Sequence, residues 1–414
     1  MLKVTKNNQV KKRRVLVGLS GGVDSSVAAY LLQQQGYEVI AAFMKNWHDT
    51  SLTISNQCPW TEDIDDARMV AEQLGIPFYT FDFSEVYRKR IVDYMFKNYA
   101  AGVTPNPDVL CNREIKFKEF LQVAEKLDAD YVATGHYARK SVQEIDGQEV
   151  YSLLSGVDGN KDQSYFLCQL NRYQLQKALF PLGELRKDEV RKIASEQGFT
   201  TAEKKDSQGL CFVGKVRLPD FLQQQLKPKK GNIILLEADD PAILKDKPSL
   251  KDPAEWNTMN DNELDEMCSP IRFDATRGQV VGQHDGAYYY TIGQRKGLNV
   301  GGTPQPLYVL DTDVKENIVY VGMGQDHPAL LRKGIFVPAG EVHWIREDLK
   351  LLPGSHVSCQ LRIRYRQPLF PVRLIMRDKG LYILFENEQM GVAAGQFAVW
   401  YSDDECMGSG PISS

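Results

Sequence analysis

The chain has 414 residues, 50 lysines and arginines against 54 aspartates and glutamates, and a formal charge of −4, with 43% hydrophobic and 25% charged residues. That length suggests two or three domains, and the composition is that of an ordinary globular protein, which excludes collagen-like, mucin-like and wholly disordered chains. No run approaches the ~18 consecutive apolar residues of a membrane span, so no membrane is expected. The seven cysteines (Cys58, Cys111, Cys168, Cys211, Cys268, Cys359 and Cys406) are odd in number, widely spread and without a Cys-x-x-Cys pair. This rules against a secreted disulfide framework, a zinc ribbon and an iron–sulfur cluster.

The N-terminus, Met1 to Arg14, is basic but lacks the apolar core of a signal, so a cytoplasmic protein is expected. Residues 14–19, Arg-Val-Leu-Val-Gly-Leu, read as a buried strand. Ser20-Gly21-Gly22 follows as a turn, and Asp24 to Gln35 as a helix stopped by Gly36. Residues 37–44 make a second strand, Thr61 to Leu74 a helix, Pro77 to Phe83 a third strand and Asp130 to Thr134 a fourth. Strands alternating with helices imply a parallel α/β sheet. Residues 160–200 read mostly as helix, with Leu185 to Gln197 the clearest case.

The pattern changes after about residue 211. Lys227 to Gly231 is a linker and Gly231 to Leu236 a short strand. Residues 237–266 hold ten acids and three lysines, and the weakly periodic stretch to about 276 reads as an exposed acidic insertion. From about 279 the chain consists of short strands between Gly and Pro turns, at 287–292, 307–311, 317–321, 356–365, 371–376, 381–385 and 396–401. That is an all-β module, expected to be a small barrel.

Ser20-Gly21-Gly22-Val23-Asp24-Ser25 lies between a strand and a helix. Two glycines let the backbone approach a phosphate, and the helix start adds free N–H groups and a positive dipole end. With no Gly-Lys-[Ser/Thr] and no Gly-x-Gly-x-x-Gly, it is neither a Walker A loop nor a dinucleotide fingerprint. It resembles the pyrophosphate loop of N-type ATP pyrophosphatases, which split ATP to AMP and pyrophosphate and use AMP to activate a carbonyl oxygen. Asp24 beside phosphates then implies Mg²⁺, with no dedicated protein metal site.

Two prolines stiffen Thr104-Pro105-Asn106-Pro107-Asp108-Val109-Leu110-Cys111-Asn112, a turn able to present Asp108 and Cys111 together. Lys204 and Lys205 make the loop that leads to Cys211 electropositive, which lowers a thiol pKa. For Cys111 and Cys211 the residues alone leave packing and reactivity both open; the other five cysteines read as packing residues.

Taken together, the motifs resemble the tRNA-specific 2-thiouridylase family. They are the loop Ser20–Ser25, Asn106 to Asn112, Ala133-Thr134-Gly135-His136-Tyr137, Lys161 to Leu167, Phe180-Pro181-Leu182-Gly183, Lys205 to Phe212, and Tyr290 to Leu298. The resemblance implies a Rossmann-like α/β N-terminal domain (adenine nucleotide α-hydrolase-like) at 1–210. A small central domain at 211–298 carries the acidic insertion, and a C-terminal all-β barrel that binds tRNA follows at 299–414. It implies ATP-dependent 2-thiolation of the wobble uridine 34, by adenylation of O2 and transfer of sulfur from a cysteine persulfide. Cys211 carries the persulfide, Cys111 closes a disulfide with it, and Asp108 handles protons at the base. Gly18, Leu19, Ser20, Gly21, Gly22, Val23, Asp24, Ser25, Met44 and Gly135 hold ATP. Asn106, Pro107, Asp108, His136, Lys161, Asp162, Gln163, Arg364, Tyr365 and Gln396 contact the target base and tRNA. The expected partners are a tRNA with a wobble uridine and a persulfide sulfur-donor protein, and the expected state is a monomer. Without the resemblance, Met44 reads as a core methionine.

Arg362, Arg364, Arg366, Arg373 and Arg377 occur with no acid between them. On one strand the first three would line a single face suited to phosphates, or a solvated barrel face. Strict alternation puts Arg364 and Tyr365 on opposite faces, so either a bulge intervenes or one of them alone meets RNA. Two other functions fit the loop: an amide-forming ligase acting on a small molecule, and a non-catalytic RNA binder.

Overall fold

The computed structural model describes residues 12–46, 61–205, 218–245 and 252–413. The N-terminal part runs β1 (Arg14–Gly18), α1 (Val23–Gln34), β2 (Glu38–Lys45), α2 (Thr61–Leu74), β3 (Phe78–Asp82), β4 (Tyr131–Ala133), a hairpin of β5 (Ala138–Ile145) and β6 (Gln148–Ser155), and β7 (Ala178–Leu179). Five of these strands form a parallel sheet in the order β3-β2-β1-β4-β7. Val15, Leu16 and Val17 are fully buried in its central strand, and the two faces feed separate apolar clusters. Burial on both faces is why β1 and β2 read as continuous apolar runs rather than alternating ones. The strand order reverses at β1, whose carboxyl end opens into the Ser20–Ser25 loop, the usual nucleotide position of a doubly wound sheet.

Between residues 160 and 200 the helices are shorter than expected, at Ser164–Leu167, Arg172–Lys177 and Lys187–Glu196, with β7 completing the sheet between the last two. The hairpin β5–β6 bridges two parts of the fold: Ala138, Tyr151 and Leu153 pack in the same apolar cluster as Leu16 and Val132, while β6 pairs with the last strand of the chain.

The central sheet has the order β10-β11-β8-β9, from β8 (Gly231–Leu235), β9 (Gln279–His284), β10 (Leu307–Asp313) and β11 (Ile318–Met323). The 298/299 boundary read from sequence cuts through this unit, because β10 pairs with β11 and β11 with β8 rather than with the later strands. Residues 287–292 form no strand. Ala287–Tyr289 is a 3₁₀ turn, and the Tyr288 and Tyr289 hydroxyls donate to the carbonyls of Lys227 and Leu226, tying down the linker.

The C-terminal strands are β12 (Leu331–Pro338), β13 (His343–Trp344), β14 (His356–Arg362), β15 (Phe370–Arg377), β16 (Gly380–Met390), β17 (Phe397–Ser402) and β18 (Glu405–Pro411). The wall β12-β16-β15-β14-β17-β18 curls until Ser413 N–H donates to Phe336 C=O at 3.0 Å, around a core that includes Trp344, Trp400 and Phe385.

The acidic stretch is not an exposed insertion over its described residues. Trp256, Met259, Leu264, Met267 and Cys268 pack against Ile375, Tyr382 and Leu384 on the outside of the barrel. Leu264, Met267 and Cys268 share one face of the helix Asp261–Cys268. Asp261 and Asp265 meet Arg377 and Lys379 beside it. Composition hid this because the ten acids of 237–266 outnumber the few apolar residues, Trp256, Met259, Leu264 and Met267, that the described part of the stretch buries.

Candidate active site

The phosphate loop is held by its own hydroxyls. Ser25 Oγ accepts from Ser20 N–H at 3.1 Å and donates to Gly22 C=O at 3.0 Å, and Ser26 Oγ donates to the same carbonyl at 2.9 Å. Leu19 N–H bonds Ala42 C=O at 2.9 Å, carrying the β1–β2 pairing up to the loop. Gly21 has φ +70°, and a Cβ there would lie 2.2 Å from the Asp63 carbonyl at the start of α2. Gly135 packs on the first turn of α1, where a Cβ would lie 2.8 Å from Ser25 N. These two glycines are required by close backbone approach.

Asp24 is held by a lysine and a tyrosine. Its carboxylate accepts from Lys187 Nζ at 2.7 and 2.9 Å and from the Tyr137 hydroxyl at 2.8 Å. Met44 is buried, with its methyl directly over Gly18. Among the described residues no group of three or more His, Cys, Asp or Glu side chains could hold a metal ion. Asp63, the other carboxylate beside the loop, is paired with Lys204. The two carboxylates beside the loop, Asp24 and Asp63, are thus each paired with a lysine of the same chain.

A cavity of about 690 Å³ opens from this loop. Ser20 to Asp24 and Asp63 bound one end; Asp108, Asn112, Phe166 and Tyr365 bound the other; His136, Tyr137 and Gln163 lie between. Five basic side chains (Lys116, Lys161, Lys204, Lys205 and Arg366) face three carboxylates. That imbalance favours an anionic occupant. His136 is buried, bonded through Nδ1 to the Thr134 hydroxyl at 2.7 Å, and burial together with Lys116 holds its pKa well below the usual value, so the ring is neutral.

The base end is built by a proline-stiffened turn. The Asn106 side chain caps the helix Pro107–Cys111 by accepting from Val109 N–H at 3.3 Å. Gln396 Nε2 donates to the carbonyls of Thr104 at 3.0 Å and Pro105 at 3.2 Å, so the C-terminal barrel fixes this turn. The helical run continues through Asn112–Glu119 as a π-helical stretch, a distortion common at functional sites. Asp108 and Asn112, four apart, both reach the cavity, whereas Cys111 is 1% exposed and faces the apolar core. Cys211 lies outside the described residues; Lys205, the last described residue before it, lines the cavity.

The arginine row does not form. β14 ends at Arg362, and the chain turns, with Arg366 at φ +64°. Arg362 points inward to Asp162 at 2.9 Å, a carboxylate that also accepts from Gly156 N–H, Ser164 N–H and the Ser164 hydroxyl. Arg364 donates to the Gly391 carbonyl and is largely buried, which lowers its pKa. Tyr365 and Arg366 reach the cavity, Arg366 stacked over the Tyr365 ring and Tyr365 against Phe166 at 4.4 Å between centroids. Thus Lys161, Gln163 and Tyr365 meet Asp108 and His136 in one cavity, while Asp162, Arg364, Asn106 and Gln396 form the framework behind it. The sequence reading does not single out Asp63, Lys116 or Lys187. For Lys187 a signal existed: a lysine in the first turn of a helix opposes the macrodipole and asks for a nearby carboxylate.

Fold and site together define a Rossmann-like nucleotide-loop domain followed by two β modules, of which the C-terminal barrel adds Tyr365 and Arg366 to its cavity. Three family models match, described as a tRNA methyl transferase HUP domain over residues 13–215, a tRNA methyl transferase PRC-barrel domain over 264–323 and an aminomethyltransferase beta-barrel domain over 337–412. Curated relatives cover almost the whole chain. The tRNA-specific 2-thiouridylases MnmA of Christiangramia forsetii and Flavobacterium johnsoniae are each 57% identical over 97% of this chain and 100% of their own. That of Karelsulcia muelleri is 45% identical over 98% and 100%. The chain belongs to the tRNA-specific 2-thiouridylase family. Among solved structures, a 4-thiouridine synthetase–RNA complex with bound ATP matches at 16% identity and a TM-score of 0.30, over 49% of this chain and 46% of that one, a likeness too low to carry weight.

Proposed function

We propose that the chain catalyses ATP-dependent 2-thiolation of uridine 34 in tRNA. The observation that carries the reading is the single cavity with the phosphate loop at one end and Asp108, Phe166 and Tyr365 at the other. A nucleotide α-phosphate and an unstacked base can meet there. The loop N–H groups and the start of α1 bind the phosphates, and Lys187 and Tyr137 hold Asp24 away from them.

In this reading O2 of the base attacks the α-phosphorus and pyrophosphate leaves. The N3 proton of the base is lost as C2–N3 becomes a double bond, and Asp108 accepts it. The terminal sulfur of a Cys211 persulfide then adds to C2, and AMP leaves with the original O2. Cys111 attacks the inner sulfur of Cys211 and breaks its bond to the outer sulfur, which stays on C2 as the thiocarbonyl while the proton returns to N3; the resulting Cys111–Cys211 disulfide is reduced by a cellular thiol. Cys111 is buried and lies on the same short helix as Asp108. The reading includes Mg²⁺ borne by ATP, a persulfide donor protein, a monomer and a thiol-rich cytoplasm.

The test uses tRNA carrying ¹⁸O at O2 of uridine 34. The label should appear in the phosphate of AMP, one atom per sulfur gained. Label retained in the RNA, or AMP formed without it, would sink the adenylation step.

A further inference from the structure

Asn112 is 2% exposed and lines the cavity beside Asp108. Its Nδ2 donates to the Phe166 carbonyl at 2.9 Å. A carbonyl can only accept, so this bond sets the amide orientation and leaves Oδ1 as the other atom. Oδ1 is buried with no hydrogen-bond partner. An acceptor taken from water and left unmatched is a standing cost, and native structures retain few of them. The ring at this end belongs to Phe166, whose own carbonyl holds the amide and which packs at a tilt against Tyr365.

We propose that Asn112 Oδ1 is the acceptor for the N3–H of the target base and thereby selects uracil over cytosine. The inference rests on the uridine-thiolation reading and adds its specificity element. Uracil presents a donor at N3 where cytosine presents a lone pair, so an acceptor that cannot rotate away attracts one and repels the other. Sites built to bond a donor reject analogues that lack it far more strongly than apolar pockets reject a methylene. N3 is bonded to C2, so holding it also fixes the reacting carbon relative to Asp108, four residues earlier on the same helical run. The amide is not a base; it reads the proton that Asp108 removes.

The test is a cycle between enzyme and RNA. Anticodon stem–loops carrying uridine, 3-deazauridine (C–H in place of N3–H) or cytidine at position 34 are bound to the wild type, Asn112→Ala and Asn112→Leu, and binding is read by fluorescence anisotropy. The wild type should prefer uridine over 3-deazauridine by about 10- to 100-fold. That preference should fall to near one in both variants, with ATP affinity unchanged. Asn112→Leu keeps the side-chain volume and removes the buried orphan, so it serves where the alanine variant does not fold. A preference that survives in either folded variant, or that is absent from the wild type, overturns the inference. Thiolation of the uridine stem–loop by the wild type is scored in parallel: its presence with no N3–H preference defeats this inference alone, and its absence defeats the uridine reading with it.

Discussion

Lys187 holds Asp24 across 163 positions of sequence. Replacing it by methionine leaves a carboxylate facing the phosphates, so the KM for ATP should rise more than tenfold, and Asp24→Asn in the same chain should recover part of that loss. Isothermal binding of a non-hydrolysable ATP analogue checks both. Gly21→Ala places a Cβ against the Asp63 carbonyl at a left-handed φ, a conflict worth roughly 1–3 kcal/mol, and should abolish nucleotide binding at a measurable loss of Tm. Arg362 and Arg366 separate two roles that the sequence merged. Arg362→Ala leaves Asp162 buried without its cation and should destabilise by about 3–5 kcal/mol in urea titration. Arg366→Ala, exposed at the cavity, should leave Tm unchanged and reduce the salt slope of tRNA binding by about 1. The loop glycines were legible because Ser-Gly-Gly-Val-Asp-Ser follows directly on an apolar strand, although the contacts that require Gly21 come from Asp63, far along the chain. The arginine row was misread because strand alternation was carried past Arg362, where the backbone turns and Arg366 takes a positive φ.

Elements were legible where burial gives a long apolar run or a clear helical period, as in β1, β2, α1 and α2. They were missed where pairing relies on glycine. β18 reads Glu-Cys-Met-Gly-Ser-Gly-Pro, poor in strand formers, yet Cβ atoms at Gly408 and Gly410 would lie 2.4 Å from the His343 carbonyl and 2.3 Å from Val337 Cγ1. Close backbone approach explains such strand glycines, and no single-residue propensity reveals it. The hairpin β5–β6 carried a local signal that was overlooked, the Asp146-Gly147 turn with both residues at positive φ; its further pairing with β18, some 250 residues later, had none. The acidic strap was misjudged because net charge outweighed a few well-spaced apolar residues. If it seals the barrel, Trp256→Ala should cost about 3–5 kcal/mol, with tryptophan fluorescence and urea midpoints as the readout. Asp261→Asn, a surface partner of Arg377, should cost under ~1 kcal/mol.

Across the whole molecule, three regions converge on one cavity. The parallel sheet supplies the loop, the Asn106–Asn112 turn supplies the base end, and the barrel supplies Tyr365 and Arg366 while Gln396 pins the turn. The parallel sheet and the β-rich second half were legible in sequence, but the module boundaries were not, because β11 and β6 pair with strands distant in the chain, β8 and β18. Four histidines also set an acid limit on the assembly. Burial lowers the pKa of His136, His284, His327 and His343. Below the ordinary value near ~6.5, the unfolded chain takes up protons that the folded chain refuses. Stability should therefore be full above that pH and fall as pH drops through it toward the folded values. Tm measured from pH 7.5 to 5 should decline by several degrees, and His327→Gln should flatten the curve.

The chemistry is tested most directly by nucleoside mass spectrometry on tRNA with an unmodified uridine 34, incubated with the protein, ATP, Mg²⁺ and a persulfide source. The expected result is one sulfur-for-oxygen exchange at that base for each AMP formed, lost in Cys111→Ser and in Cys211→Ser. Sulfur gain that survives both serine variants, or AMP release with no sulfur at uridine 34, would contradict the two-thiol mechanism.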